Sequence, residues 1–127
     1  MKVGTDMAVP HKHLKRFYYF LKSSVENAGL DFLIFGHAGD SHLHLNILPR
    51  DESEYRVAKS IYLDICENAI NLGGTISAEH GIGKLKCEYL IKMFGEKNIR
   101  NMAKLKMSLD PNNILCKGNI FDEKFLS

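Results

Sequence analysis

Apolar positions recur at helical spacing between residues 14 and 25, at Leu14, Phe17, Tyr18, Leu21 and Val25. This spacing predicts a helix over 12–28, with Pro10 placed before its first turn and Gly29 ending it. Ahead of it, "DMAVP" at 6–10 reads as a short extended piece. The period then changes. Residues 31–37, "DFLIFGH", read as a strand, and 42–48, "HLHLNIL", alternate as a second strand closed by Pro49. Between them, residues 38–41 form a four-residue hairpin loop. A second helix is expected over 53–72, with Ala58, Ile61, Ile65, Ala69 and Leu72 on its apolar face and Gly73-Gly74 stopping it. With the opening extended piece and one further strand, this helix, strand, strand, helix order predicts an α+β, ferredoxin-like sandwich over residues 1–74.

Residues 75–127 change character and read as an extension of the same domain. The segment 73–86, "GGTISAEHGIGKLK", contains four glycines and reads as loop. Helices are expected over 87–94 and 96–109, the second turning Ile99, Met102, Ala103 and Leu109 inward before "DPNN" breaks it. The tail is irregular, and its Ile120, Phe121 and Phe125 need something to pack against.

Composition narrows the class. The chain has 127 residues, 45% hydrophobic and 25% charged, which suits one globular domain. Its formal charge of +2 comes from interspersed Lys and Glu, with no basic stripe, so nucleic-acid binding is not expected. Cys66, Cys87 and Cys116 are far apart and odd in number, which argues against a disulfide scaffold and for a reducing, cytoplasmic setting. No secretory signal or transmembrane run is expected from the sequence.

The candidate chemistry lies in the hairpin. With 38–41 as the loop, His37 faces His42 and Phe35 faces His44. His37, His42, His44 and Asn46 then share one face with Phe35, while Phe32, Ile34, Leu43, Leu45 and Ile47 line the other and receive the helices. A slip of one residue would scatter this group. Clustered imidazoles suit a divalent ion, and Glu79-His80 in the glycine-rich loop is the next source of ligands. Polar residues satisfied at a sheet edge explain His37 and His44 equally well. His42 also fits a supporting role behind the ligands or a place lining the pocket. Asp40 reads as a turn residue, His11 and His13 as a solvated helix start, Cys66 as buried filler, and Phe17, Tyr18 and Leu21 as core. "GTISAEHGIG" lacks the order of a nucleotide fingerprint.

Together, "FGHAGDSHLHLNILP", "GGTISAEHGIGKLKCEYL" and "MSLDPNNILCKGNIF" resemble the C-terminal, cap domain of FAD-linked oxidases, a family that includes D-lactate dehydrogenase, the GlcD subunit of glycolate oxidase and D-2-hydroxyglutarate dehydrogenase. "DMAVP" resembles a stretch of the same domain. The resemblance implies oxidation of a small 2-hydroxy acid, with FAD bound mainly by a separate domain and no FAD-binding residue assigned in this chain. It implies His37, His44 and Glu79 as ligands of a divalent metal, zinc among the candidates, and His80 as the catalytic base. Asn46, His42 and Lys86 are carried as substrate-binding residues. In the implied chemistry the metal binds the hydroxyl and carboxylate, His80 removes the hydroxyl proton, and hydride passes to the flavin.

Departures from the family pattern bear on this. His42 stands where relatives usually have asparagine and Ser41 where glycine is common; at Cys116-Lys117-Gly118-Asn119 only the glycine of the usual terminal motif survives. The expectation is a partial cap domain without its FAD domain, inactive alone and completed by an FAD-binding domain or subunit or by self-association. Two rivals accompany it. One is a non-enzymatic metal- or carboxylate-binding module that self-associates. The other is a metal-assisted hydrolase using His37, His44 and Glu79.

Overall fold

The structure, a computed structural model, describes residues 1–126. The chain is an α+β fold in two compact units, Met1–His80 and Gly81–Ser127. The first unit holds β1 (Val3–Gly4), β2 (Met7–Ala8), α1 (Leu14–Glu26), β3 (Phe32–His37), β4 (His42–Ile47) and α2 (Glu52–Asn71). Strand β4 is central. β3 runs antiparallel along one edge, and β1 and β2 follow one another, also antiparallel, along the other. The expected further strand is reduced to one antiparallel bridge, Ala8 to Thr75, which places it outside β2 as in a ferredoxin-like sheet.

The hairpin has the expected register, Phe35 opposite His44 and His37 opposite His42. Its loop tightens into a 3-10 turn over Ala38–Asp40, with Ser41 in the left-handed region at φ 54°. His11, expected in solvent, is exposed but its Nδ1 lies 2.9 Å from the Ser41 hydroxyl. Gly36 has no freedom to carry a side chain. A Cβ there would lie 2.2 Å from the His42 carbonyl oxygen, at φ +154°. Gly74 is constrained in the same way, because its Cβ would lie 2.3 Å from the Ala8 carbonyl oxygen.

Leu43, Leu45 and Ile47 are buried on the inner face of β4, with Phe32 and Ile34 half-buried beside them. The helices pack on each other and on the sheet. α1 buries Phe17, Leu21 and Val25. Tyr18, expected in this core, is 38% exposed, its ring edge-on to Tyr19, about a sixth of a turn from the centre of the buried stripe and on its margin. α2 buries Ala58, Ile61, Ile65, Cys66 and Ala69, and its first turn is capped by the Asp51 carboxylate accepting from the Glu54 N–H at 2.8 Å.

In the second unit, α3 (Cys87–Leu109) is broken at Gly95, whose φ 74°, ψ 153° is not helical, so the two expected helices meet end to end. Ile99 and Ala103 are buried with Leu90, Phe121 and Phe125. Two inward expectations fail here. Met102 is 37% and Leu109 80% exposed, each about a quarter-turn from the Ile99–Ala103 stripe. Ile120 also stays 40% exposed, while its neighbour Phe121 packs inside. Beyond α3, the Asp110 carboxylate binds Lys106 and accepts from the Ile114 and Leu115 N–H groups, both at 3.0 Å. No described helix is long and apolar enough to cross a membrane.

Gly36→Ala is expected to destabilise the fold by at least about 1–3 kcal/mol, read by urea unfolding. Full wild-type stability would contradict the hairpin geometry. The ion pair with Lys106 and the two N–H donors hold the Asp110 carboxyl down at about 2. A lowered carboxyl stabilises the fold above its unfolded value and loses that contribution on protonation. Acid titration should therefore loosen the Asp110 turn as pH falls from about 4 to about 2, and Asp110→Asn should remove that step. The amide shifts of Ile114 and Leu115 report it.

Candidate metal and substrate site

The outer face of the sheet carries the cluster. On β4, His44 and Asn46 point outward beside Phe35 and Leu33 of β3 and Gly4 of β1, as the register requires. Leu33 and Phe35 remain 58% and 53% exposed on this face. Lys2, Gly4, Thr5, Phe35, Gly36, His37, His44, Asn46, Glu79 and His80 line an open cleft of about 720 Å³.

Glu79 and His80 reach the cleft because the chain after α2 is tied to the first strands. Thr75 and Ala8 exchange backbone hydrogen bonds at 2.8 and 3.3 Å, and the Ala78 N–H donates to the Asp6 carbonyl at 3.2 Å. Between β1 and β2 the edge strand is interrupted at Thr5-Asp6, both buried. The Thr5 hydroxyl accepts the Leu45 N–H at 2.9 Å, and the Thr5 N–H donates to the Leu45 carbonyl at 2.9 Å.

His44 is the best-defined member. Its Nδ1 lies 3.2 Å from the Thr5 carbonyl oxygen, and a carbonyl only accepts, so Nδ1 carries a proton. In the neutral ring, Nε2 is then a lone pair, and it sits 2.9 Å from Glu79 Oε1. Two acceptors at that distance repel unless a proton or a cation lies between them. A backbone carbonyl holding the remote nitrogen is the arrangement that metal-ligating histidines use. His37 Nε2 lies 4.0 Å from the other Glu79 oxygen. The His80 ring stacks on His44, centroids 5.1 Å apart, and its Nε2 lies 3.6 Å from Glu79 Oε1.

Among the described residues, two overlapping groups could hold a metal ion, with ligand atoms within 4.8 Å of one another: His37, His42, His44 and Glu79, and Asp6, His44, Glu79 and His80. The first is the better fit. Asp6 already accepts from the Ser77 hydroxyl and the His80 N–H, each at 2.9 Å, and from the Glu79 N–H at 3.3 Å. Its lone pairs are taken up by donors. A site of imidazoles and one carboxylate also suits zinc or a similar divalent ion.

The cluster thus brings together His37, His44, Glu79, His80 and Asn46 around one cleft. His42 is adjacent but buried behind it, with its Nε2 2.9 Å from Asp6 Oδ1. Lys86 belongs to the second unit, where it precedes α3 and its N–H donates to the Ile82 carbonyl at 3.3 Å. Sequence reasoning missed Lys2, Thr5 and Asp6. Lys2, just before β1, is two residues from Gly4, and its side chain lies on that residue's face, a signal available once the edge strand is recognised. Thr5 and Asp6 sit at an interruption of pairing, for which the sequence carries no local mark.

A family model for the C-terminal domain of FAD linked oxidases matches residues 2–120. The chain is 34% identical over 118 residues to the glycolate oxidase subunit GlcD of Bacillus subtilis, covering 91% of this chain and 25% of that protein. It is 33% identical over 117 residues to the mitochondrial D-lactate dehydrogenase [cytochrome] 1 of Saccharomyces cerevisiae, covering 92% and 20%. It is 36% identical over 118 residues to a D-lactate dehydrogenase of Anaerostipes hadrus, covering 91% and 25%. The chain therefore spans a quarter or less of the length of these curated relatives. With a match over nearly all of its length, it belongs to the family of FAD-linked oxidase C-terminal domains.

Proposed function

We propose that this chain is the cap part of an FAD-dependent oxidoreductase that oxidises a small 2-hydroxy acid of the lactate or glycolate type. The observation that carries the reading is His44, whose Nδ1 is held by a backbone carbonyl while Nε2 faces the Glu79 carboxylate across 2.9 Å. In this proposal His37, His44 and Glu79 hold a divalent ion. The relatives named glycolate oxidase subunit and D-lactate dehydrogenase support the substrate class. When bound, the ion supplies Lewis acidity toward the acid's hydroxyl and carboxylate oxygens, and FAD, held by another domain or subunit, accepts the hydride.

The chain's own residues do the rest. Lys2 and the Asn46 amide, both lining the cleft, bind the substrate carboxylate. Stacking on His44 orients the His80 ring, and a ring nitrogen of His80 takes the hydroxyl proton as the C–H bond is broken. His42, buried beside the cluster, supports it from behind.

Zinc titration of the purified chain by calorimetry should show one ion per chain, with binding lost in His44→Ala and Glu79→Gln. No binding, or binding unchanged in both variants, would rule out the metal role. The redox role is tested by recovering the tagged chain from its native source with its bound partners. Flavin should co-purify, and D-lactate or glycolate should bleach its visible absorbance. His80→Asn should slow that bleaching by about 10²- to 10⁴-fold with metal content retained. Stoichiometric metal with no flavin would favour the binding-module reading instead.

A further inference from the structure

Asp6 is 2% exposed and lies at the break between β1 and β2. A carboxylate buried this deeply has to be compensated by donors. Its Oδ2 accepts from the Ser77 hydroxyl and the His80 N–H at 2.9 Å, and the Glu79 N–H lies 3.3 Å from both oxygens. Its Oδ1 sits 2.9 Å from His42 Nε2. The Glu79 N–H reaches Oδ1 as well as Oδ2, and an ionised carboxylate only accepts, so His42 Nε2 is the donor. These partners lie 36 to 74 residues away in sequence. They join the central strand to the segment that carries Glu79 and His80.

We propose that Asp6 is a positioning residue of the site: its carboxylate fixes His42 as the Nε2–H tautomer and clamps the Ser77 hydroxyl and the Glu79 and His80 N–H groups, so that Glu79 and His80 are presented to the sheet face. It touches neither metal nor substrate. It acts through His42 and through the two residues that follow Ala78. The proposal deepens the reading of the site given above, and rests on it only for its consequence for metal affinity. With Nε2 committed to Asp6, the His42 lone pair is at Nδ1. A His42 ring at hydrogen-bond distance from a carboxylate is thus held in one tautomer beside His44, centroids 4.3 Å apart.

Asp6→Asn is the discriminating change. Asparagine keeps the shape but has one oxygen. The His80 N–H requires that oxygen on the Oδ2 side, so the amide NH₂ turns toward His42. The ring then accepts at Nε2 and moves its proton to Nδ1. Long-range ¹⁵N–¹H spectra of the imidazoles in the full chain, at about pH 8 where free imidazole is neutral, read this directly. The expected result is Nε2–H on His42 in the unaltered chain and Nδ1–H in D6N, while His44 stays Nδ1–H in both. Amide exchange at Glu79 and His80 should accelerate by roughly tenfold or more in D6N. Zinc affinity should fall by about 10- to 100-fold.

A tautomer switch is not produced by a general loss of stability. Nδ1–H on His42 in the unaltered chain overturns the proposal without any variant, so it stays testable if D6N does not fold. Unchanged exchange at Glu79 and His80 in D6N overturns it as well. Ser77→Ala, which removes one donor and leaves His42 in place, should keep Nε2–H on His42; a switch there counts against the assignment. A chain that binds no zinc yet shows the expected tautomers and exchange removes the metal role and supports Asp6 as the positioning residue.

Discussion

Strand β4 is hydrogen-bonded on both edges, and nearly every other feature of the first unit follows from that. A strand paired on both sides cannot slide without breaking two ladders, so its alternation is locked. Leu43, Leu45 and Ile47 are committed to the helices, and His44 and Asn46 to the outer face. The polar positions are held in place by the burial of their apolar neighbours. Each leucine that packs under α1 and α2 fixes the direction of the histidine beside it.

The second ladder is deliberately incomplete. At Thr5-Asp6 the edge strand stops pairing in the regular way, and the Thr5 hydroxyl takes over an N–H of β4. This interruption frees the Thr5 carbonyl for His44 and the Asp6 carboxylate for the loop. Breaks of this kind re-aim side chains at the cost of ladder bonds, and functional edges are where they concentrate. Here the lost strand geometry is replaced by side-chain and carbonyl bonds, and no described buried side-chain polar atom lacks a partner.

Much of this was legible in the sequence. The two strands, their loop length and the turn residues between them determine which histidines face one another, and the glycine-rich segment was recognisable as the source of Glu79 and His80. Three things were not. Asp6 matters through partners as far as 74 positions away, and no local pattern encodes such a contact. Leu33 falls opposite Asn46 and is left in solvent on the polar face, which a binary apolar-in reading cannot anticipate. Met102 and Leu109 fit a helical period in isolation, but the second unit buries a narrower stripe, set by Phe121 and Phe125 from beyond the helix.

The bridge between Ala8 and Thr75 joins the two ends of the first unit. Such a closure costs chain entropy that only the completed sheet and helices offset, so it forms after the local hairpin and helices. During synthesis residues 32–47, with His37, His42 and His44, are made ahead of the rest of the site. Glu79 and His80 arrive some thirty residues later, at about 5–20 residues per second. Three histidines of the cluster are therefore made before its Glu79 carboxylate, and the site becomes whole only when the last segment of the unit has closed onto the first.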